Sequence, residues 1–193
     1  MYLTVGAVAA LALIGQLILR VTAPEADGLL GELWHMVHFF TIWTNALVAV
    51  VFLRAAAGRP PSASLAGGLT VWIAVVGLIY WLLLYRGLPP SDPEFYTDHA
   101  FHTVVPIAVV LWWVLKAPRA VLGVKDAALW LVFPIGYLGY ALLRGAVTGG
   151  YPYPFMDVSA LGYTGALLNV SGVAALFFVL GLGLVGISRL RAR

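Results

Sequence analysis

The sequence predicts an all-α, polytopic membrane protein with six transmembrane helices, and three observations lead to this fold class. Hydrophobic residues make up 62% of the 193-residue chain and charged residues only 10%. A soluble domain is on average about 45–50% apolar and about 25% charged, so a soluble chain could not cover this much apolar surface. The mean hydropathy is +0.97. The apolar residues also form long continuous runs, whereas a membrane β-barrel shows short alternating segments.

Six runs are long enough to cross a bilayer, which takes about 20 apolar residues in a helix. They cover approximately residues 2–22, 34–56, 67–86, 97–116, 127–146 and 162–187. Proline-rich segments follow the second, third and fifth runs, at residues 58–62, 89–93 and 151–155. Proline cannot donate the backbone hydrogen bond that continues a helix, so these segments end the runs. We expect the six helices to form one domain over residues 1–193.

The distribution of charge predicts the orientation of the helices. Most of the 11 basic residues lie after the second and fourth runs and in the C-terminal segment. Nearly all of the eight acidic residues lie in the alternate loops. Because lysine and arginine are enriched in cytoplasmic loops, both termini are predicted to be cytoplasmic. An even number of spans agrees with this, because it places both termini on the same side of the membrane.

The composition also excludes several classes of function. The chain has no cysteine, so disulfides, thiolate catalysis, cysteine-ligated zinc and iron–sulfur clusters are ruled out. The net charge of +3 comes from scattered residues and not from a basic patch, so no nucleic-acid partner is expected. The sequence does not indicate an oligomeric state.

The four histidines form two pairs with the same spacing, and each pair opens a predicted span. His35 and His38 begin the second span, while His99 and His102 begin the fourth. Residues three or four apart share a helix face, so His38 continues into a polar stripe through Thr41 and Asn45. Polar groups inside a membrane segment are costly unless they face a cavity or one another. The stripe is therefore predicted to face the bundle interior, toward the fourth span.

Three interpretations of these residues remain open on spacing alone. The first is interfacial anchoring with hydrogen bonds between helices. It is compatible with an alternative function, that of a non-enzymatic lipid-binding or regulatory membrane protein. The second is nucleophilic catalysis, in which a histidine base activates the Thr41 hydroxyl. The third is ligation of a transition metal or a b-type haem. Its possible ligands are His35, His38, His99 and His102.

Three short segments resemble a family of six-span membrane proteins. Residues 39–45 (FFTIWTN) are similar to its Phe-x-Thr and Thr-Asn segment, and residues 99–106 (HAFHTVVP) to its His-x-x-His-Thr segment with a following proline. Residues 153–155 (YPF) resemble the Tyr-Pro-Phe element before its last span. The family contains the androgen-induced hydrolases of fatty acid esters of hydroxy fatty acids, the androgen-dependent TFPI-regulating protein and a bacterial branch.

The resemblance implies an intramembrane lipid ester hydrolase without a cofactor, in a bacterial cytoplasmic membrane. Carried over by motif, the nucleophile is Thr41 and the base is His102, with Thr44 as the alternative nucleophile. The substrate would be a membrane lipid ester approached from the outer leaflet.

Other polar residues near these two are predicted to support the reaction. Asp98 or His99 would orient His102, since a carboxylate there favours the imidazolium formed during reaction. Asn45 would donate a hydrogen bond to the developing oxyanion. The remaining lining candidates are His38, Thr44, Tyr153 and Asn169.

Overall fold

The computed structural model describes residues 1–191, and every regular element in that range is helical. The α-helices are α1 (Tyr2–Val21), α2 (Gly28–Met36), α3 (Phe40–Ala56), α4 (Ala63–Ile79), α5 (Phe95–His99), α6 (Val105–Lys116), α7 (Val124–Leu129), α8 (Val132–Thr148) and α9 (Val158–Arg191). A π-helical segment, Tyr80–Leu84, extends α4, and a second one, Ala100–Val104, joins α5 to α6. A 3-10 turn, Pro154–Met156, precedes α9.

Five helical segments of the described chain are long and apolar enough to cross a membrane. They are Tyr2–Val21, Ala63–Leu84, Phe95–Lys116, Val124–Thr148 and Val158–Arg191. The pair α2 and α3 qualifies as a sixth only if the two helices count as one bent span. The all-α fold class is therefore confirmed, with five or six helices suited to a membrane. The cytoplasmic location of the termini stays a prediction.

The second predicted span, 34–56, is wrong as a single continuous helix. The axes of α2 and α3 differ in direction by 94° across residues 37–39. No glycine or proline marks this break. It is stabilised by the indole of Trp43, whose Nε1 donates to the carbonyl oxygen of Val37 at 2.7 Å. Thr41 consequently lies in the first turn of α3, whereas a continuous helix would have placed it two turns inside the span.

The chain divides into two compact units, one ending at Pro118 and the other beginning at Arg119. The single domain predicted over residues 1–193 stays a prediction. In the second unit, α9 bends at Gly162, where φ is 67°. Glycine adopts this left-handed conformation without steric cost, and the last helical stretch therefore begins close to the predicted residue 162.

In the first unit, α4 and its π-helical extension form the most buried of the segments suited to cross a membrane, with 61% of an 18-residue apolar stretch buried. The segment packs against α3 and α6, while α1 packs along α3. The core at one end contains Trp112 and Phe52, whose ring centroids are 4.7 Å apart. The polar residues predicted for the site lie toward the other end, where α3 begins and α5 runs into α6.

Single cysteines introduced into this cysteine-free chain test the topology. Ser91 and Arg59 are exposed residues in the loops before α5 and before α4. We expect Ser91→Cys to react with a membrane-impermeant maleimide applied outside intact cells, and Arg59→Cys to react only after the membrane is opened. Labelling of both loops from the same side would contradict the six-span arrangement.

Candidate functional site

The site is built where two π-helical segments of the first unit meet. Tyr80 begins the segment after α4, and His102 lies in the middle of the segment between α5 and α6. The aromatic rings of these two residues stack with centroids 4.0 Å apart and planes within 4° of parallel. Single-turn π segments occur often at functional sites, since each one widens the helix and redirects its side chains.

Gly77 and Pro106 allow the two helices to approach each other closely here. A Cβ atom at Gly77 would lie 3.1 Å from the carbonyl oxygen of His102 and 3.1 Å from the Cβ of Pro106. Pro106 has no N–H to donate to the His102 carbonyl, as a residue four positions later normally does. The absent side chain at position 77 thus determines the spacing between Tyr80 and His102.

Thr41 and His102 are brought together across α3 and the π segment before α6. The Oγ1 of Thr41 lies 3.3 Å from the Nε2 of His102. Thr41 is half-buried, and the His102 side chain is 14% exposed. This hydrogen bond is slightly longer than the separation from which a proton is transferred directly, and such contacts commonly tighten when substrate binds. The early start of α3 makes it possible, because Thr41 then lies level with the start of the facing helix.

The other ring nitrogen of His102 faces two acceptors, both from Asp98. Nδ1 lies 2.9 Å from the backbone oxygen of Asp98 and 3.3 Å from its Oδ1. Neither the backbone oxygen nor the oxygen of an ionised carboxylate can donate a hydrogen bond. The neutral imidazole therefore carries its proton on Nδ1. Nε2 is then the acceptor, and the Thr41 hydroxyl donates to it. Of the two residues proposed to orient His102, Asp98 makes the contact.

His99, the other proposed orienting residue, bonds elsewhere. Its Nδ1 lies 2.9 Å from the backbone oxygen of Phe95, and its ring packs on the Phe95 ring with centroids 4.2 Å apart. The indole of Trp81 approaches the same imidazole edge-on, with a centroid distance of 6.2 Å. His99 therefore belongs to an aromatic cluster beside the site.

Tyr80 completes the site and was not predicted from the sequence. Its hydroxyl donates a hydrogen bond to Oδ2 of Asp98, and only 2% of the residue is exposed. The available signal was its position inside an apolar run, because a buried tyrosine hydroxyl almost always has a hydrogen-bond partner. The Asp98 carboxylate, near the start of the next apolar run, was available as that partner.

The other two predicted site residues of α3, Thr44 and Asn45, bond within their own helix. The Oγ1 of Thr44 donates to the carbonyl of Phe40 at 2.9 Å, and the Nδ2 of Asn45 donates to the carbonyl of Thr41 at 2.9 Å. Both residues are fully buried. The Oδ1 of Asn45 has no hydrogen-bond partner among the described residues. The predicted role of Asn45 at an oxyanion stays a prediction, and it would need the second N–H of the amide.

The two histidines of the α2–α3 region have different surroundings. His38 is buried and His35 is exposed, and both rings pack near the ring of Phe39 in the break between the helices. Within residues 1–191, no group of three or more His, Asp or Glu side chains is placed to share a metal ion. The proposed four-histidine ligand set is therefore not assembled in this part of the chain.

Two lining candidates, Tyr153 and Asn169, belong to the second unit. The Nδ2 of Asn169 donates to the backbone oxygen of Phe155 at 3.0 Å, although Asn169 itself is exposed. The ring of Tyr153 stacks on that of Phe155 with centroids 5.2 Å apart. The contact of Asn169 connects α9 to the segment before it, and the lining role expected of Asn169 and Tyr153 stays a prediction.

A hydrogen-bonded network fixes the start of α5, which carries Asp98. Glu94 accepts from Arg86 at 2.8 Å and from Gln16 at 3.2 Å, while Gln16 accepts from the hydroxyl of Thr97 at 2.6 Å. Burial opposes the charge on Arg86, but the hydrogen bond and the charge of Glu94 raise the pKa of Arg86 above its ordinary value. Arg86 thus stays cationic and pairs with Glu94, while Glu94 and Thr97 hold the start of α5 against Gln16 of α1.

Comparison with protein-family models, curated proteins and solved structures finds no match for this chain. The functional interpretation therefore depends on the geometry of the site.

Proposed function

We propose that the chain is an intramembrane lipid ester hydrolase in which Thr41 is the nucleophile and His102 the general base. The observation that carries this proposal is the contact of Thr41 with a histidine whose other nitrogen faces two acceptors of Asp98. A hydroxyl is a weak nucleophile until a neighbouring base takes its proton, and the base must itself be held in the correct tautomer. The three residues form such a chain of hydrogen bonds.

The reaction would follow two steps through one covalent intermediate. Thr41 Oγ1 attacks the ester carbonyl carbon as its proton passes to Nε2 of His102. The tetrahedral intermediate collapses, the C–O bond to the leaving alcohol breaks, and Nε2 returns the proton to that oxygen. Water then attacks the acyl-threonine ester while giving a proton to Nε2. The carboxylic acid leaves, and Thr41 regains its proton.

The surroundings of the site favour a lipid substrate over a soluble ester. Tyr80, Asp98 and His102 all lie within segments suited to cross a membrane. Large apolar side chains that follow Tyr80 on the same segment, Leu82 and Leu83, are 67% and 62% exposed. An acyl chain dissolved in the bilayer would reach the site along such a surface without first entering water. Esters of the fatty acid–hydroxy fatty acid type, presented from the outer leaflet, are the proposed class.

Mapping a covalent adduct tests the proposal directly. We expect a long-chain fluorophosphonate to phosphonylate Oγ1 of Thr41 in protein reconstituted in lipid nanodiscs, with loss of fluoride. Tandem mass spectrometry of the peptide that holds Thr41 and Thr44 would separate the two positions. Protein denatured by heat before exposure is the control, because the reaction requires the assembled site.

The adduct experiment has two contrary outcomes with different meanings. An adduct on Thr44 would show that the nucleophile is one turn further along α3. Absence of any adduct, together with no hydrolysis of long-chain esters, would overturn the hydrolase proposal.

A further inference from the structure

Tyr80 contacts His102 and Asp98, the two residues that follow Thr41 in the hydrogen-bonded chain, through two different parts of its side chain. The ring lies flat against the imidazole of His102, and the hydroxyl donates to Oδ2 of Asp98. Oδ1 of the same carboxylate is the atom that lies near Nδ1 of His102. A single buried residue therefore restricts the rotation of both groups. Its ring packs on one face of the imidazole, and its hydroxyl holds one oxygen of the carboxylate.

We propose that Tyr80 is a positioning residue that clamps His102 and Asp98 in the arrangement needed for ester attack. This inference depends on the proposed function for its catalytic consequence, but the arrangement itself can be measured in the absence of activity. Tyr80 does not touch the reacting hydroxyl and acts only through its two neighbours.

The clamp is needed because the carboxylate of Asp98 holds His102 loosely. The 3.3 Å separation of Nδ1 and Oδ1 is long for a charge-assisted hydrogen bond, which is usually about 2.7–2.9 Å. The backbone oxygen of Asp98, at 2.9 Å, is the shorter contact. Without the hydroxyl of Tyr80 the carboxylate could turn toward Arg86, which interacts with it electrostatically. The carboxylate would then no longer support the imidazolium formed in the reaction.

Two substitutions separate the two contacts. Tyr80→Phe keeps the stacked ring and removes the hydrogen bond, whereas Tyr80→Leu removes both. We expect acylation by the fluorophosphonate to slow about tenfold in Tyr80→Phe, the scale of one hydrogen bond to a charged group. In Tyr80→Leu we expect a loss of about a hundredfold. Tyr85→Phe is the matched control, because Tyr85 lies one turn further along and is 50% exposed.

A double-mutant cycle shows whether Tyr80 acts through the carboxylate. If it does, Tyr80→Phe should cost no more than about twofold in an Asp98→Ala background, since the two residues then act as one unit. A merely structural role would give the same tenfold loss in both backgrounds. That additive result would overturn the inference, and thermal melting of each variant in detergent shows that it is folded.

Nitrogen-15 NMR of the histidine rings tests the clamp without any activity. The chain has only four histidines, so the signals of His102 can be assigned with a His102→Gln variant. At a fixed alkaline pH we expect the wild type to show protonated Nδ1 and unprotonated Nε2. In Tyr80→Leu, but not in Tyr85→Phe, the two tautomers of His102 should become mixed.

The two readouts distinguish failure of the clamp from failure of the hydrolase. A wild-type protein that is never acylated but shows the tautomer change in Tyr80→Leu would overturn the proposed function and support the clamp. A wild-type protein acylated on Thr41, with a His102 tautomer that Tyr80→Leu leaves unchanged, would overturn the clamp alone.

Discussion

Thr41→Ala is expected to abolish ester hydrolysis and acylation by a fluorophosphonate, with a loss of at least about a thousandfold. The substitution removes the hydroxyl that contacts Nε2 of His102. The substitution should leave the fold intact. Thr41 is only half-buried, and its backbone oxygen, which accepts from Asn45, is unchanged. Rates of fatty-acid release by protein in nanodiscs provide the measurement, with thermal melting to verify folding.

Two further variants make the Thr41 result specific. Thr41→Ser preserves the hydroxyl and should retain measurable turnover. Thr44→Ala is the matched control on the same helix, because the Thr44 hydroxyl donates only to Phe40 within α3. Activity that survives Thr41→Ala and is lost in Thr44→Ala would assign the nucleophile to Thr44.

His102→Ala should lower the acylation rate by about two to four orders of magnitude, the usual contribution of a general base. Removal of the imidazole also leaves a gap against the flat face of Tyr80, with the acceptor atoms of Asp98 still at its edge. Added imidazole should bind in this gap and recover part of the rate. The second-order rate constant for fluorophosphonate labelling, with and without imidazole, is the measurement.

His99→Ala is the control for the loss of a histidine on the same segment. Since His99 bonds to the Phe95 carbonyl and packs on its ring, its removal should change the acylation rate only a few-fold. A loss in His99→Ala equal to that in His102→Ala would contradict the assignment of His102 as the base.

Much of the candidate site followed from local sequence patterns. The shared spacing of the two histidine pairs, and the polar stripe through Thr41, indicated that α3 faces the helix carrying His102. Asp98 lies four residues before His102, so a helical repeat placed both on one face. These relations depend only on helical periodicity and on the cost of polar groups in a membrane, and both are properties of short segments.

The break before α3 and the π-helical segments could not be predicted in the same way. The break depends on a hydrogen bond from the Trp43 indole to the Val37 carbonyl, which compensates for backbone bonds that a continuous helix would have made. The approach of Tyr80 to His102 depends on Gly77, whose missing side chain has meaning only against a neighbouring helix.

The sequence by itself determined the all-helical, apolar character of the chain and the residue types available for chemistry, because hydropathy and helical periodicity are local properties. The tertiary structure decided which of those residues meet. In the structure, Thr41 lies level with His102, Asp98 and not His99 contacts Nδ1 of His102, and Tyr80 packs on His102 from a different helix. The contacts of Thr41 and Tyr80 join residues on different helices, and their relative height is set by helix breaks and by close packing between helices, which depend on the tertiary structure.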